Sequence, residues 1–250
     1  MKKNLVFIAL ILMALVSCSK LQSNEKKFLK GMQSEDYEES SQAFNDFCEW
    51  MENDSETMTH DFNLMREKMG LKVVSSGDGI VRCYSWETTG SDSLHIYANI
   101  TQWKLGDNFA AFSGPIDQLL AGRKTRIKNY HFVAHNIDSI IDVTLGQNKV
   151  YLILQSYINK YGMRRAFVSA GTIIGIKLSL LPSFFDGTDI AGNNEFRDNG
   201  DVPIDKLFKW DEKTGRLYAY QTDDENNLIP GKYTVFQLGN DRFTRLPDEE

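Results

Sequence analysis

From Ile80 onward the apolar residues recur at every second position, and this period commits most of the chain to β-structure. Ile80, Arg82, Tyr84 and Trp86 alternate with Val81, Cys83 and Ser85, and Leu94, Ile96, Ala98 and Ile100 alternate with His95, Tyr97, Asn99 and Thr101. Gly77-Asp78-Gly79 and Gly90-Ser91-Asp92 stand at the joints, where residues tolerant of positive φ permit tight hairpins. Segments 108–113, 131–135, 137–145, 149–158, 165–170, 172–181, 207–210, 216–221, 232–238 and 242–246 continue as strands. Ile137, Ser139, Ile141, Val143 and Leu145 share one face, and 150–154 is apolar on both faces, as a central strand requires.

Ahead of this lies a different period. Tyr37, Phe44, Phe47, Cys48 and Met51 recur at three- and four-residue steps, and Met58, Phe62, Met65 and Met69 resume the stripe after a break at 52–55, the spacing of amphipathic helices. Asn53 with Glu56 fits an N-cap, and Gly70 fits a C-cap. The fold class expected is therefore α+β: an N-terminal helical hairpin over 35–70, then a mainly antiparallel β meander over 71–250 packed with the hairpin as one unit. Sandwich, barrel and propeller-like sheets all satisfy this pattern. Composition, 42% hydrophobic and 25% charged, is that of a globular protein, and a net charge of -6 gives no footprint for a polyanion, which argues against nucleic acid as a partner.

The leader has its own logic. Lys2 and Lys3 precede twelve apolar residues (5–16) and then Ser17-Cys18, the charged, apolar and small-residue regions of an export signal. Twelve residues span about 18 Å as a helix, well short of a bilayer core of roughly 30 Å. Leu15-Val16-Ser17-Cys18 resembles the lipobox of bacterial lipoproteins. The resemblance implies removal of 1–17, a diacylglycerol on the Cys18 thiol, and acyl chains of palmitate type holding the protein to a cell-envelope membrane, on its periplasmic or surface face. Residues 18–34, polar and lysine-bearing, then read as lipidated cysteine and tether.

Ser76-Gly77-Asp78-Gly79-Ile80-Val81-Arg82-Cys83-Tyr84-Ser85-Trp86 is the most distinctive string. It resembles an S-x-D-G-x-x-R-x-Y-S-W signature of uncharacterised exported lipoproteins, in which a helical segment precedes the hairpin and short strands such as 208–217 close the chain. The resemblance implies an address and no activity.

With Cys18 assigned to lipid, Cys48 and Cys83 are left either to pair as a disulfide or to remain buried thiols. No G-x-S-x-G, H-E-x-x-H, C-x-x-C or Walker pattern occurs, so no catalytic residue is nominated. His131 and His135, on a predicted strand, stand about 13 Å apart, too far to share a metal. Asp186, Asp189, Glu195, Asp198, Asp201 and Asp205, with Asn193, Asn194 and Asn199, fill an irregular stretch after Phe185 with oxygens that suit calcium. Their spacing fits no calcium loop, and a solvated acidic loop is the simpler expectation; no other cofactor is implied. Arg123, Lys124, Arg126 and Lys128 read as a solvated basic turn. Tyr97 and Trp103, on the polar side of their strand, are the aromatics expected to face a ligand, because a flat apolar ring with a polar tip suits a sugar.

The function expected is a lipid-anchored, non-catalytic binding or assembly module of the cell envelope, its partner a glycan or an envelope protein. The alternative, an envelope hydrolase acting on glycan or peptide, needs two carboxyl groups about 5–10 Å apart in one cleft.

Overall fold

The computed structural model describes residues 19–88, 96–114, 135–159, 161–197 and 202–247. By internal contacts the chain divides into two compact units, Met1–Leu71 and Lys72–Glu250, where the sequence reading packed hairpin and sheet as one. The boundary lies where the helical period gives way to alternation.

The first unit holds a correction. Residues 19–32, expected as a tether, form helix α1. Its lysines disguise a buried stripe of Leu21, Glu25, Phe28 and Leu29 at three- and four-residue steps, which composition alone reads as a polar linker. Helix α2 (Tyr37–Asn53) starts on Asp36, whose side chain accepts from the Glu39 N–H. The cap expected at Asn53 falls on Asp54, which accepts from Glu56 N at the head of a 3-10 turn (Ser55–Met58). Helix α3 (Asn63–Met69) ends on Gly70 at φ 68 as expected.

Phe44, Phe47, Cys48, Met51, Met58, Phe62 and Met65 are buried together with the α1 stripe. Phe47 meets Phe28 and Phe62 edge-on at 5.8 and 6.1 Å, the arrangement that ring quadrupoles favour. At Gly31 a β-carbon would stand 2.5 Å from Ala43 Cβ, so α1 and α2 cross where only glycine fits. Phe62 gives α3 no side-chain cap. Glu25 supplies one from α1 instead: Oε1 accepts from Met65 N at 2.8 Å and Oε2 pairs with His60 Nε2 at 2.9 Å. A carboxylate at the orphan donors of a helix start is well placed. Among the described residues no helix is long and apolar enough to cross a membrane.

In the second unit every pairing between named strands is antiparallel, and one isolated bridge, Phe185 with Phe243, is parallel. Strands β1 (Lys72–Ser75), β2 (Val81–Thr88), β3 (Ile96–Leu105) and β4 (Asn108–Ser113) form one sheet in chain order. A second comprises β5 (Asn136–Leu145), β6 (Asn148–Ile158), β7 (Met163–Ile174) and β8 (Lys177–Leu180), with β9 (Ile190–Arg197) beside the first part of β7. After the short helix α4 (Ile204–Leu207), β10 (Phe208–Asp211), β11 (Arg216–Thr222), β12 (Leu228–Leu238) and β13 (Phe243–Arg245) form a third. The first and third sheets are open meanders, the second is a meander that β9 joins at β7, and none of the described sheets closes into a barrel.

The second sheet lies between the other two. Val150, Leu152 and Leu154 of β6 pack with Leu217, Ala219 and Phe236 of the third sheet, whereas Tyr151 and Ile153 pack with Val81, Cys83 and Trp103 of the first. Both faces of β6 are covered, which is why 150–154 reads as an unbroken apolar run.

Three details depart from the sequence reading. Strand β7 runs through Gly171 and turns only at Gly175-Ile176. The irregular stretch after Phe185 contains β9, because the edge of β7 offers it a ladder. A bulge between Ile137 and Ser139 shifts the register of β5, so Ile137 packs on the face opposite Val143, and Asp138 is the residue the bulge re-aims.

Candidate functional site

The distinctive string builds a turn and then points to a cleft. Ser76 Oγ donates to Asp78 Oδ1 at 2.7 Å and accepts from Val81 N at 3.0 Å, and Asp78 Oδ2 accepts from Tyr151 Oη at 3.2 Å. A β-carbon at Gly77 would stand 2.7 Å from Asp142 Oδ1. Burial alone would raise the Asp142 carboxyl, but Lys149, bonded at 2.9 Å, and the Gly77 backbone hold it below its usual value. Tyr84 Oη donates to Gln102 Oε1 at 2.6 Å, and Trp86 is buried. The Asp78 and Gly77 contacts dock the β1–β2 hairpin on the second sheet, whereas Tyr84, Trp86 and Gln102 lie on the face of the first sheet opposite Val81 and Cys83. Ser85 does something else: it donates to Asn136 Oδ1 at 3.0 Å and accepts from Ile137 N at 3.2 Å, fixing Asn136 at the mouth of a cleft.

That cleft, about 330 Å³, lies between the first two sheets and the start of α4. Its lining includes Lys72 from β1, Tyr97 from β3, Asn136 and Asp138 from β5, Ser156 and Tyr157 from β6, and Arg164 from β7, with Val202 and Pro203 at one side. Asp138, re-aimed by the bulge, is the hub. Oδ1 accepts from Lys72 Nζ at 2.7 Å and Asn136 Nδ2 at 2.9 Å, and Oδ2 from Ser156 Oγ at 2.5 Å. Arg164, itself buried, donates to the Val202 carbonyl at 2.5 Å. Burial, reinforced by Glu87 and Asp138 and opposed by Arg164, pushes the Tyr97 phenol up to about 12, so it is a neutral donor at ordinary pH. Tyr157 stacks on His135 with ring centroids 4.9 Å apart, and its hydroxyl accepts from Arg165 Nη1 at 3.3 Å.

Chemically, this is a set of polar groups held in place beside two phenol rings. Asp138 already accepts three donors, one of them cationic, which suits orientation better than proton abstraction. It is the sole carboxylate among the described lining residues, one fewer than a glycosidase pair requires. A larger hollow, about 500 Å³ by Arg216, Tyr218, Lys232 and Tyr233, is one solvent-facing side of the third sheet, and none of its described lining residues is a buried polar one.

The nominated residues meet different fates. Tyr97 is half-buried and lines the cleft. Trp103 does not: it is buried between the first two sheets, with Nε1 donating to the Ile176 carbonyl at 3.3 Å. The polar side of β3, carrying Asn99, Thr101 and Trp103, faces the second sheet rather than water, which overturns the expected exposure. Cys48 and Cys83 are both buried and form no disulfide. Cys83 Sγ lies 3.4 Å from Thr101 Oγ1, and burial pushes its thiol up to about 12 despite that hydrogen bond.

In the acidic stretch Asp189 Oδ1 accepts from Ser183 N at 2.8 Å, and no group of three or more His, Cys, Asp or Glu among the described residues is placed to hold a metal. Asp198, Asn199, Asp201, His131, Arg123, Lys124, Arg126, Lys128 and Cys18 lie outside the described residues. The sequence reading missed Lys72, Asn136, Asp138, Ser156 and Arg164. Each is an ordinary polar residue near a strand end, and the one local signal was the neighbouring Ser139, a polar residue on the otherwise apolar face of β5.

Comparison with protein-family models, curated proteins and solved structures gives no match.

Proposed function

We propose that the chain is a lipid-anchored binding module of the cell envelope, and that the Asp138 cleft takes a polar ligand of glycan type. The observation that carries the binding reading is the cleft itself: Tyr97 and Tyr157 rings beside Lys72, Asn136, Asp138 and Ser156. Sugars are held by such sets, an aromatic face for the C–H surface and planar polar groups for neighbouring hydroxyls. The volume is at the small end of ligand pockets, enough for one ring. The address rests on the export signal and on the lipobox ending at Cys18.

The test is a thermal-shift screen of the full chain against neutral and acidic oligosaccharides, peptidoglycan fragments and peptides, each with calcium and with chelator. A ligand at a hundred times its Kd stabilises by about 2.7 kcal/mol. The expected result is a glycan that raises the melting temperature of the wild type but not of Tyr97→Ala or Lys72→Met. A shift that survives both substitutions, or a panel with no hit, overturns the reading. For the address, intact mass from the native host should show a chain beginning at an acylated Cys18; a retained leader or a bare thiol contradicts it.

A further inference from the structure

We infer that the outward face of α1 is a contact surface for anionic phospholipid, an inference that rests on the lipoprotein reading of Cys18. Steps of about 100° per residue bring Lys20, Lys26, Lys27 and Lys30 within roughly a third of the helix circumference, and all four are exposed. Ser19, Gln22 and Ser23 are the other exposed residues of this helix. Its one carboxylate, Glu25, is turned inward to His60 and Met65.

The placement of charge, rather than its total, carries the effect. A net charge of -6 opposes adsorption of the whole chain on an anionic surface. Within the first unit, however, α2 exposes Glu38, Glu39 and Glu49 while α1 exposes lysines, so an anionic surface selects one helix and repels the other. Lys20 is partly engaged, 3.8 Å from Asp54, and Lys27 lies over the Phe28 ring at 5.2 Å; Lys26 and Lys30 complete the patch. The face carries no apolar residue, so it rests on headgroups and does not insert. A lipid surface is the occupant because the chain is already helical at Ser19, the residue that follows the proposed acyl anchor at Cys18. A folded helix in place of a tether keeps these lysines within the short range over which surface potential acts.

The full chain is incorporated into vesicles of phosphatidylcholine alone or with one-third phosphatidylglycerol, and lysine modification by a membrane-impermeant amine reagent is followed by mass spectrometry. Lys26, Lys27 and Lys30 should react about fivefold more slowly on the anionic vesicles at low salt, the difference vanishing at high salt, while Lys213 and Lys232 react equally on both. Lys20 should be slowed in the same way, and should lose that protection in a variant with Lys26, Lys27 and Lys30 changed to Gln. Equal rates on the two vesicle types overturn the surface. So does protection that follows protein concentration instead of lipid charge, which would mark a second copy as the occupant. A Cys18 without acyl chains in the same mass spectra would instead remove the anchor reading, whatever the lysines do.

Discussion

At the scale of single residues, the second unit is organised around groups whose protonation burial controls. Cys83 has an ordinary value of 9.0 and a folded value of about 12. The unfolded thiol loses its proton first, so the stability it contributes is whole below pH 9 and falls as pH rises towards about 12. Denaturant titrations across that window should show the wild type losing more stability than Cys83→Val; parallel losses would contradict the assignment. Asp138 makes a second case. Asp138→Asn removes the charge facing Lys72 and replaces one acceptor oxygen by a donor facing existing donors. It should lower stability by about 1–3 kcal/mol, read as a lower denaturation midpoint at unchanged slope.

At the scale of elements, helix α1 and strand β6 show what each segment contributes. Glu25 bonds both the half-buried His60 and the α3 backbone, so Glu25→Ala removes the carboxylate partner of that histidine and uncaps the start of α3. The expected cost is roughly 3 kcal/mol, seen as loss of the first unit's helical signal at lower temperature. In β6, Leu152 and Ile153 are adjacent in sequence yet fully buried in different cores. Leu152→Ala and Ile153→Ala should each cost about 2–5 kcal/mol, and their combination should be close to additive because the two cavities open in separate packings. Strong coupling in the double variant would mean that one core serves both faces.

Strands were largely legible because alternation and turn residues are local signals. Strands β5, β6 and β11 lie within one or two residues of their expected limits. Helix α1 was hidden because four lysines outweigh a three-residue apolar stripe. The bulge at Asp138 and the run of β7 through Gly171 depend on partner strands, which sequence does not display. The cleft was illegible for the same reason: its residues come from β1, β3, β5, β6 and β7 and converge only after the sheets stack.

At the scale of the whole molecule there are two compact units, Met1–Leu71, which includes the proposed anchor residue Cys18, and Lys72–Glu250, which carries the cleft. The third sheet supplies packing to the second through Leu217 and Phe236, and the cleft opens at the junction of the first and second sheets. Isothermal titration of the best glycan from the screen into the wild type, Tyr97→Ala, Lys72→Met and Tyr218→Ala tests this most directly. The account predicts one site per chain, affinity weakened at least about tenfold by either cleft substitution, equivalent to about 1.4 kcal/mol, and wild-type affinity for Tyr218→Ala on the third sheet. Cleft variants that bind as the wild type does, or binding lost with Tyr218→Ala, would contradict it.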